Sequence, residues 1–454
     1  MKIIIVGAGE VGFHTASRLS IENKDVVVID RDPRALRRIA ENTDVQTIVG
    51  SGSSPVILEE AGLKEAEILL AVTDSDETNL VACLVANLLS PSTKKLARVR
   101  SGDFDGYHES FREKAPYIDT IINPEIEVIN TIASLISVPG AVEVRALAND
   151  RLRLVAVRMP KDSPLAGRPL SEAAGEIGKN SFLVAAIVRN EKMIVPHGNN
   201  RLLPNDIVYF ISEKERLASS LKVFDKPARP VHRALIVGGG RLGLRLAQRF
   251  EAADIKTKII EINPDRCAYL AEAMHKTVVL QGNGSDQELL IEEHIQDMDV
   301  VVSLTDDEQT NILTSLLANR LGAANTVTKI SKFTYIPLMS TIGLEQVVSP
   351  RLSAINSILQ HIRKGKVLSA ISLKEEQAEV LEAVALSTSE LVGRPLRKVN
   401  MPKSTLLVGI IRGEEIIVPT GDTVVEPDDR VIIFAQKHAI AKVEQLLSVK
   451  LEFI

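Results

Sequence analysis

A glycine-rich turn directly behind a short apolar run occurs twice in this chain, and each occurrence commits its surroundings to a strand, a tight bend and a helix. Gly7-Ala8-Gly9-Glu10-Val11-Gly12 follows Lys2-Ile3-Ile4-Ile5-Val6. Gly238-Gly239-Gly240-Arg241-Leu242-Gly243 follows Arg233-Ala234-Leu235-Ile236-Val237, 231 residues later. An apolar run of this length, bounded by a turn, reads as a strand buried on both faces of a parallel sheet. The first glycine of such a turn permits the bend, the second admits a pyrophosphate to the backbone, and the third lets helix and strand approach closely. The helix start adds unpaired N–H groups and the positive end of its dipole.

The duplication runs past the glycines. Asp30 ends the second apolar run of the first half and Glu261 ends its counterpart, again 231 residues on. An acid there accepts the adenosine ribose hydroxyls and repels a 2'-phosphate, which favours NAD(H) over NADP(H); the adenosine of ATP or ADP makes the same bonds. Arg31, next to Asp30, pulls the other way. Thr73-Asp74-Ser75-Asp76-Glu77-Thr78-Asn79 returns as Thr305-Asp306-Asp307-Glu308-Gln309-Thr310-Asn311, offset by 232. A smaller module also recurs, Gly167-Arg168-Pro169-Leu170 as Gly393-Arg394-Pro395-Leu396 and Ile194-Val195-Pro196-His197-Gly198 as Ile417-Val418-Pro419-Thr420-Gly421. The expected fold is therefore α/β: two Rossmann-like, parallel-sheet nucleotide-binding domains alternating with two small α+β domains. The boundaries read as 1–138, 139–225, 231–364 and 365–454, each nucleotide domain ending in a crossover helix.

In the first nucleotide domain, Gly50-Ser51-Gly52-Ser53 follows a third strand and is placed over the adenine or ribose side of the crevice, with Ser51 suited to local bonding. Leu69–Val72 reads as the fourth strand and delivers Thr73 and Asp74 to its carboxyl end, where open α/β sheets bind ligands. Leu96–Arg100 reads as the fifth and ends in two positive charges; Arg98 is within reach of phosphate, while Arg100 fits an ordinary salt-bridging surface residue equally well. The second domain offers Glu261 on a longer arm, Asn283 and Gly284 in the matching loop, Thr305 and Asp306, and Lys329 in the place of Arg98. A lysine there is a point charge instead of a planar clamp. Arg241, inside the second glycine loop, either contacts phosphate or covers the helix surface.

Composition excludes several functions. Lys and Arg number 54 against 59 Asp and Glu, a net charge of -5, which gives no general support for nucleic-acid binding, a function that usually needs a basic face. Cys83 and Cys267 form no metal or redox pattern, which suits a reducing cytosol. No stretch reaches the roughly 18 apolar residues of a membrane span, leaving attachment to a spanning partner as the route to a membrane. The eight histidines, at 14, 108, 197, 232, 275, 294, 361 and 438, form no metal-ligand cluster. His197 has Thr420 as its repeat equivalent, so no duplicated acid or base serves hydride transfer. No catalytic residue and no metal site is expected.

Helical runs follow each fifth strand, Ile126–Ser137 after Asn123-Pro124-Glu125 and Ala354–Arg363 after Ser349-Pro350. Their apolar faces fit packing on a neighbouring nucleotide domain as well as a private core. The small modules alternate short β-like runs with turns, and Asn190-Glu191 and Gly413-Glu414 fit hairpins.

The glycine motif with Asp30, the Thr73–Asn79 block and the Gly167-Arg168-Pro169-Leu170 module together resemble the regulators of potassium conductance, in the tandem form that serves bacterial and archaeal Trk potassium uptake. The resemblance spans essentially the whole chain. It implies a non-enzymatic subunit, peripheral on the cytoplasmic side of the cell membrane and docked to a TrkH-type potassium-conducting subunit. It further implies a homo-oligomeric ring that binds NAD or NADH at both sites, with ATP or ADP as further ligands. Gly7, Gly9, Gly12, Asp30, Thr73, Asp74 and Arg98 would carry the first site, and Gly238, Gly240, Gly243, Glu261, Thr305, Asp306 and Lys329 the second. Two other readings stay open on the residues alone: an NAD-dependent oxidoreductase with a duplicated domain, and an adaptor for another membrane partner.

Overall fold

The runs Ile3-Ile4-Ile5 and Leu235-Ile236 are fully buried, each at the centre of a parallel six-stranded sheet. The computed structural model describes residues 1–173, 182–225, 230–362, 367–373 and 377–447. The chain divides into two units, Met1–Val128 with Ser349–Arg363, and Ile129–Val348 with Lys364–Ile454.

In the first unit, β1 (Lys2–Val6), β2 (Asp25–Asp30), β3 (Gln46–Val49), β4 (Ile68–Ala71), β5 (Lys94–Arg98) and β6 (Thr120–Ile122) lie in the order β3-β2-β1-β4-β5-β6. The order reverses between β1 and β4, and the crevice at the carboxyl ends of those strands is where such sheets take ligands. The first loop helix, Glu10–Ile21, follows β1, and the helix Asp76–Leu89 follows β4. Against the first loop helix packs the second crossover helix, Pro350–Ile362, burying Ala354, Ile355, Ile358, Leu359 and Ile362. The apolar face of that helix thus serves the parallel-sheet domain of the other half.

The second unit holds three sheets. β7 (Ala141–Leu147), β8 (Leu152–Arg158), β9 (Phe182–Arg189), β10 (Lys192–Ile194) and β11 (Ile207–Glu213) form an antiparallel sheet ordered β10-β9-β11-β8-β7. Asn190 and Glu191 both take positive φ, 49° and 62°, in the tight turn between β9 and β10. β12 (Arg233–Val237), β13 (Lys256–Glu261), β14 (Val278–Gln281), β15 (Val300–Ser303), β16 (Thr326–Lys329) and β17 (Gln346–Val348) repeat the parallel order of the first unit. β18 (Val367–Leu373), β19 (Ala378–Val384), β20 (Thr405–Arg412), β21 (Glu415–Ile417) and β22 (Arg430–Gln436) form the second antiparallel sheet, ordered β18-β19-β22-β20-β21.

The two small sheets share one core: Ala156, Ala186 and Tyr209 of the first pack with Val380, Val408 and Phe434 of the second. The Ala148 N–H donates to Glu382 Oε2 at 3.1 Å, and Gln436 Nε2 to the Met193 carbonyl at 2.8 Å. Inside each sheet the repeat keeps a forked ion pair, Arg189 on Asp206 at 2.9 and 2.7 Å and Arg412 on Asp429 at 3.0 and 2.8 Å. In the same unit Arg249 of the second loop helix, Arg241–Ala252, donates to Asn130 Oδ1 of the first crossover helix, Pro124–Ser137, at 3.0 Å.

Two features differ from the sequence reading. Each parallel sheet has a sixth strand, β6 or β17, just ahead of Asn123-Pro124 and Ser349-Pro350, where the sequence predicts five strands and then a helix. Three residues are too few for a periodicity, and pairing with β5 and β16 makes them strands. β7, β18 and β19 were likewise not read as strands. β7 carries half-exposed Glu143 and Arg145, and its strand character comes from its pairing with β8. The expected helix end at Arg363 and the 364/365 boundary lie outside the described residues.

Candidate functional site

Each glycine loop is closed on its inner side and open on its outer side. Gly7 has φ +114°, and a Cβ there would stand 2.9 Å from the Thr73 backbone nitrogen. A Cβ on Gly12 would stand 1.8 Å from the Gly7 carbonyl oxygen, so the helix lies directly against the turn. At Gly9 a Cβ would meet nothing within 4 Å. The second loop repeats the plan, with 2.8 Å from Gly238 to Thr305, 2.0 Å from Gly243 to Gly238, and open space at Gly240. It has glycine where the first has Ala8, and a Cβ on Gly239 would lie 2.3 Å from Leu270 Cδ1, so that leucine would have to turn aside to admit an alanine. Val11 and Leu242 are buried and anchor the two loop helices.

The acids brace these loops. Asp30 Oδ2 accepts the Ala8 N–H at 2.6 Å and its Oδ1 the Asp32 N–H at 2.9 Å. Glu261 does the same for Gly239 and Asn263, at 2.7 and 2.9 Å. The longer arm of glutamate ends at the same place, and each carboxylate oxygen retains acceptor capacity for a hydroxyl. Arg31 does not pair with Asp30; its guanidinium donates to Ser51 Oγ at 2.8 Å. Gly52 and Gly284 press on the strands, each Cβ position lying 2.0 Å from Val6 or Val237. Asn283 Oδ1 accepts from Ser285 within its own loop.

Behind the acidic block sits a residue that reading by ligand chemistry passes over. Asn79 is fully buried; its Oδ1 accepts from the Thr73 N–H at 2.9 Å and the Thr73 hydroxyl at 2.7 Å, and its amide donates to the carbonyls of Thr73 and Arg98 at 3.1 and 2.8 Å. Asn311 repeats all four bonds with Thr305 and Lys329. The two asparagines tie the ends of neighbouring strands together. Their signal was an identical residue closing both seven-residue blocks. Asp76 Oδ2 likewise accepts the N–H groups of Arg100 and Ser101, and Glu308 Oε1 those of Ser331 and Lys332.

Arg98 donates to the Thr73 carbonyl at 2.8 Å, and its Nε is buried with no hydrogen-bond partner. Burial, with Arg100 beside it, lowers its pKa to about 10, against the pull of Asp76 and Asp74. Arg100 bonds the Asp74 carbonyl and lies 3.9 Å from Asp76 Oδ1 with its side chain partly exposed, a salt-bridging residue at the rim of the cluster. In the second half Lys329 Nζ meets Asp306 Oδ1 at 2.9 Å, which leaves that crevice with less uncompensated positive charge.

Glu10, the first residue of its helix, accepts from Arg38 at 2.6 Å and lies 3.5 Å from His14 Nε2. The hydrogen bond from Arg38 lowers its pKa against the opposing effect of burial, with charge attraction to Arg38, His14 and Arg351 assisting. A lowered carboxyl pKa contributes stability above the unfolded value of about 4.3 that is lost as pH falls through the folded one. Replacing Glu10 with Gln should therefore flatten the loss of stability in acid, read as the thermal midpoint across that window; an unchanged acid limb would rule the pair out.

Among the described residues no group of His, Cys, Asp and Glu is arranged to hold a metal ion, and no helix is long and apolar enough to cross a membrane.

The TrkA-N domain family matches residues 3–124 and 234–350, and the TrkA-C domain family residues 154–225 and 380–448. The Trk system potassium uptake protein TrkA of Halomonas elongata is 37% identical, over 100% of both chains. The TrkA homolog 1 of Methanosarcina mazei is 36% identical over 98% of this chain and 99% of its own. Among solved structures, the GsuK RCK domain superposes with a TM-score of 0.61 at 17% identity, covering 98% of this chain and 94% of that one. The GsuK channel bound to NAD gives 0.60 at 16% identity, covering 98% and 78%.

Proposed function

Because the chain belongs to the TrkA family of Trk potassium uptake proteins, we propose that it is a nucleotide-sensing regulatory subunit, docked on the cytoplasmic face of a TrkH-type potassium-conducting partner. It binds NAD or NADH, and ATP or ADP, in the two crevices and transmits occupancy by a change of conformation. The segments 1–138, 139–225, 231–364 and 365–454 act as its four working modules. One observation carries this reading: both halves build the same cradle, an open glycine corner braced by Asp30 or Glu261 at the sheet's switch point. The phosphates lie over the backbone of Gly7, Ala8, Gly9, Glu10, Val11 and Gly12 with Arg98 beside it, and over that of Gly238 to Gly243 with Lys329, the side chains of Val11 and Leu242 staying in the core. Asp30 and Glu261 take the ribose. Ser51, Gly52, Asn283, Gly284, Thr73, Asp74, Thr305 and Asp306 line the remainder.

The chemistry is a shift of population. A nucleotide moves a conformational equilibrium only by its difference in affinity between two states, and a tenfold difference at one site is about 1.4 kcal/mol. Several sites coupled in a ring multiply that bias. Val81, Leu84 and Leu88 form an exposed apolar stripe at helical spacing on Asp76–Leu89, which suits assembly of copies.

The test is potassium flux through the co-reconstituted transporter while NADH, NAD+, ATP and ADP are titrated, with D30A and E261A as separate variants. Each variant should lose the response of its own crevice, by tenfold or more in the concentration needed (about 1.4 kcal/mol). Bound nucleotide without any effect on flux would leave a structural adaptor as the better description. Turnover seen as nicotinamide absorbance would restore the oxidoreductase reading.

A further inference from the structure

The second crossover helix does more than cover the first loop helix. Its residues Ala354, Ile355 and Ile358 are buried, and the helix packs on Glu10–Ile21. Lys94, at the amino end of β5, donates to the His361 carbonyl near the end of this helix at 2.9 Å, so the helix's first turn, with Arg351, lies toward the carboxyl ends of the strands, where its charge acts on Glu10 and Arg98. Glu10 attracts that guanidinium and Arg98 repels it. Two guanidiniums near one open glycine loop are unfavourable neighbours until an anion is shared between them. Arg98 already holds a buried Nε without a hydrogen-bond partner, and the Gly9 corner of the loop is open.

The repeat adds an independent observation. Arg241 occupies in the second half the position of Glu10, and Glu125, after Pro124, the position of Arg351, after Pro350. Opposite signs are kept on the same two repeat positions with their order exchanged. Two merely solvated charges would need no such complementarity.

We propose that Arg351 is a phosphate-binding residue of the first nucleotide site, supplied by the second half of the chain and held by Glu10 until phosphates arrive. This rests on the nucleotide reading above and adds a residue to it. Charge-assisted bonds from a guanidinium to phosphate are directional and strong, so occupancy of the first crevice draws on the second crossover helix itself. The first site is then complete only when that helix is seated, and loss of the ligand loosens its N-terminal turn.

The experiment is calorimetric titration of the full chain with ADP, NAD+ and adenosine at low and moderate salt, for wild type, D30A, R351Q, R351K and E10Q. R351Q is expected to weaken first-site binding of ADP and NAD+ by about tenfold and to reduce its salt dependence, leaving adenosine unchanged. R351K should recover part of the loss, and E10Q should tighten the phosphate-bearing ligands. Unchanged affinities in R351Q, with first-site binding lost in D30A, would overturn this inference alone. Absence in wild type of any binding that D30A removes would overturn the nucleotide reading with it. Should R351Q lower the thermal midpoint, the double variant E10R/R351E supplies the second measure. It rebuilds at the first site the order of charges found at Arg241 and Glu125, and is expected to bind ADP; a folded double variant that does not bind overturns the proposal.

Discussion

Gly12→Ala is expected to destabilise the first unit by about 3 kcal/mol and to abolish nucleotide binding there. Two effects of opposite sign compete at this position. In an ordinary helix interior alanine is favoured over glycine by about 1 kcal/mol. Here the added Cβ would lie 1.8 Å from the Gly7 carbonyl oxygen, and the obstacle is backbone on both sides, so no side chain can swing away. Relief requires the loop helix to move off β1, which opens the turn and separates the N–H groups that face the crevice. Gly9→Ala is the control. Its Cβ meets nothing within 4 Å, so folding should be untouched, yet the methyl occupies the space a phosphate would use. Urea unfolding followed by nucleotide titration separates the two: G12A should lose both stability and binding, and G9A binding only. A G12A chain as stable as wild type would show that the helix can shift at little cost, contrary to the packing described.

Asn79→Leu should cost about 3 kcal/mol, the other large effect. Leucine matches the branching, with more bulk, but leaves the Thr73 N–H and the carbonyls of Thr73 and Arg98 unmet against a buried side chain, where each unmet group costs about 1–3 kcal/mol unless water reaches it. Thr73 opens the block that follows β4, and Arg98 ends β5, so the loss also frees the two strand ends that frame the crevice. Asn311→Leu should act alike in the second unit, since all four bonds recur there. Thermal unfolding of the two variants should show the same magnitude in different transitions. Equal stability of N79L and wild type would mean that water replaces the amide and that the strand ends are not tied through this side chain.

Much of the fold is legible in short stretches of sequence because the information is local. A buried parallel strand needs only an apolar run between turns, the bend behind it needs glycine, and the acid at the end of β2 or β13 is placed by strand length alone. The repeat made each of these readable twice. Thr73 and Thr305 were legible as strand-end residues but not as partners of Asn79 and Asn311, because the bonds span a helical turn and a neighbouring strand. The sixth strands are three residues long, and hydrogen bonds from the adjacent strand, not their own pattern, define them. Likewise β7 and β18 draw their character from partners.

What no local pattern contains is which surface each apolar face meets. The helical period of Pro350–Ile362 is plain in the sequence, but its seat on Glu10–Ile21, more than three hundred residues earlier, is set by three-dimensional packing. The shared core of the two small sheets has the same origin. The sequence by itself determined the two Rossmann-like parallel-sheet folds and their glycine loops, since backbone sterics and hydrophobic periodicity act over a few residues. Only the tertiary structure decided that one half lends its crossover helix to the other, because burial of an apolar face is non-directional and names no partner until the chain has closed on itself.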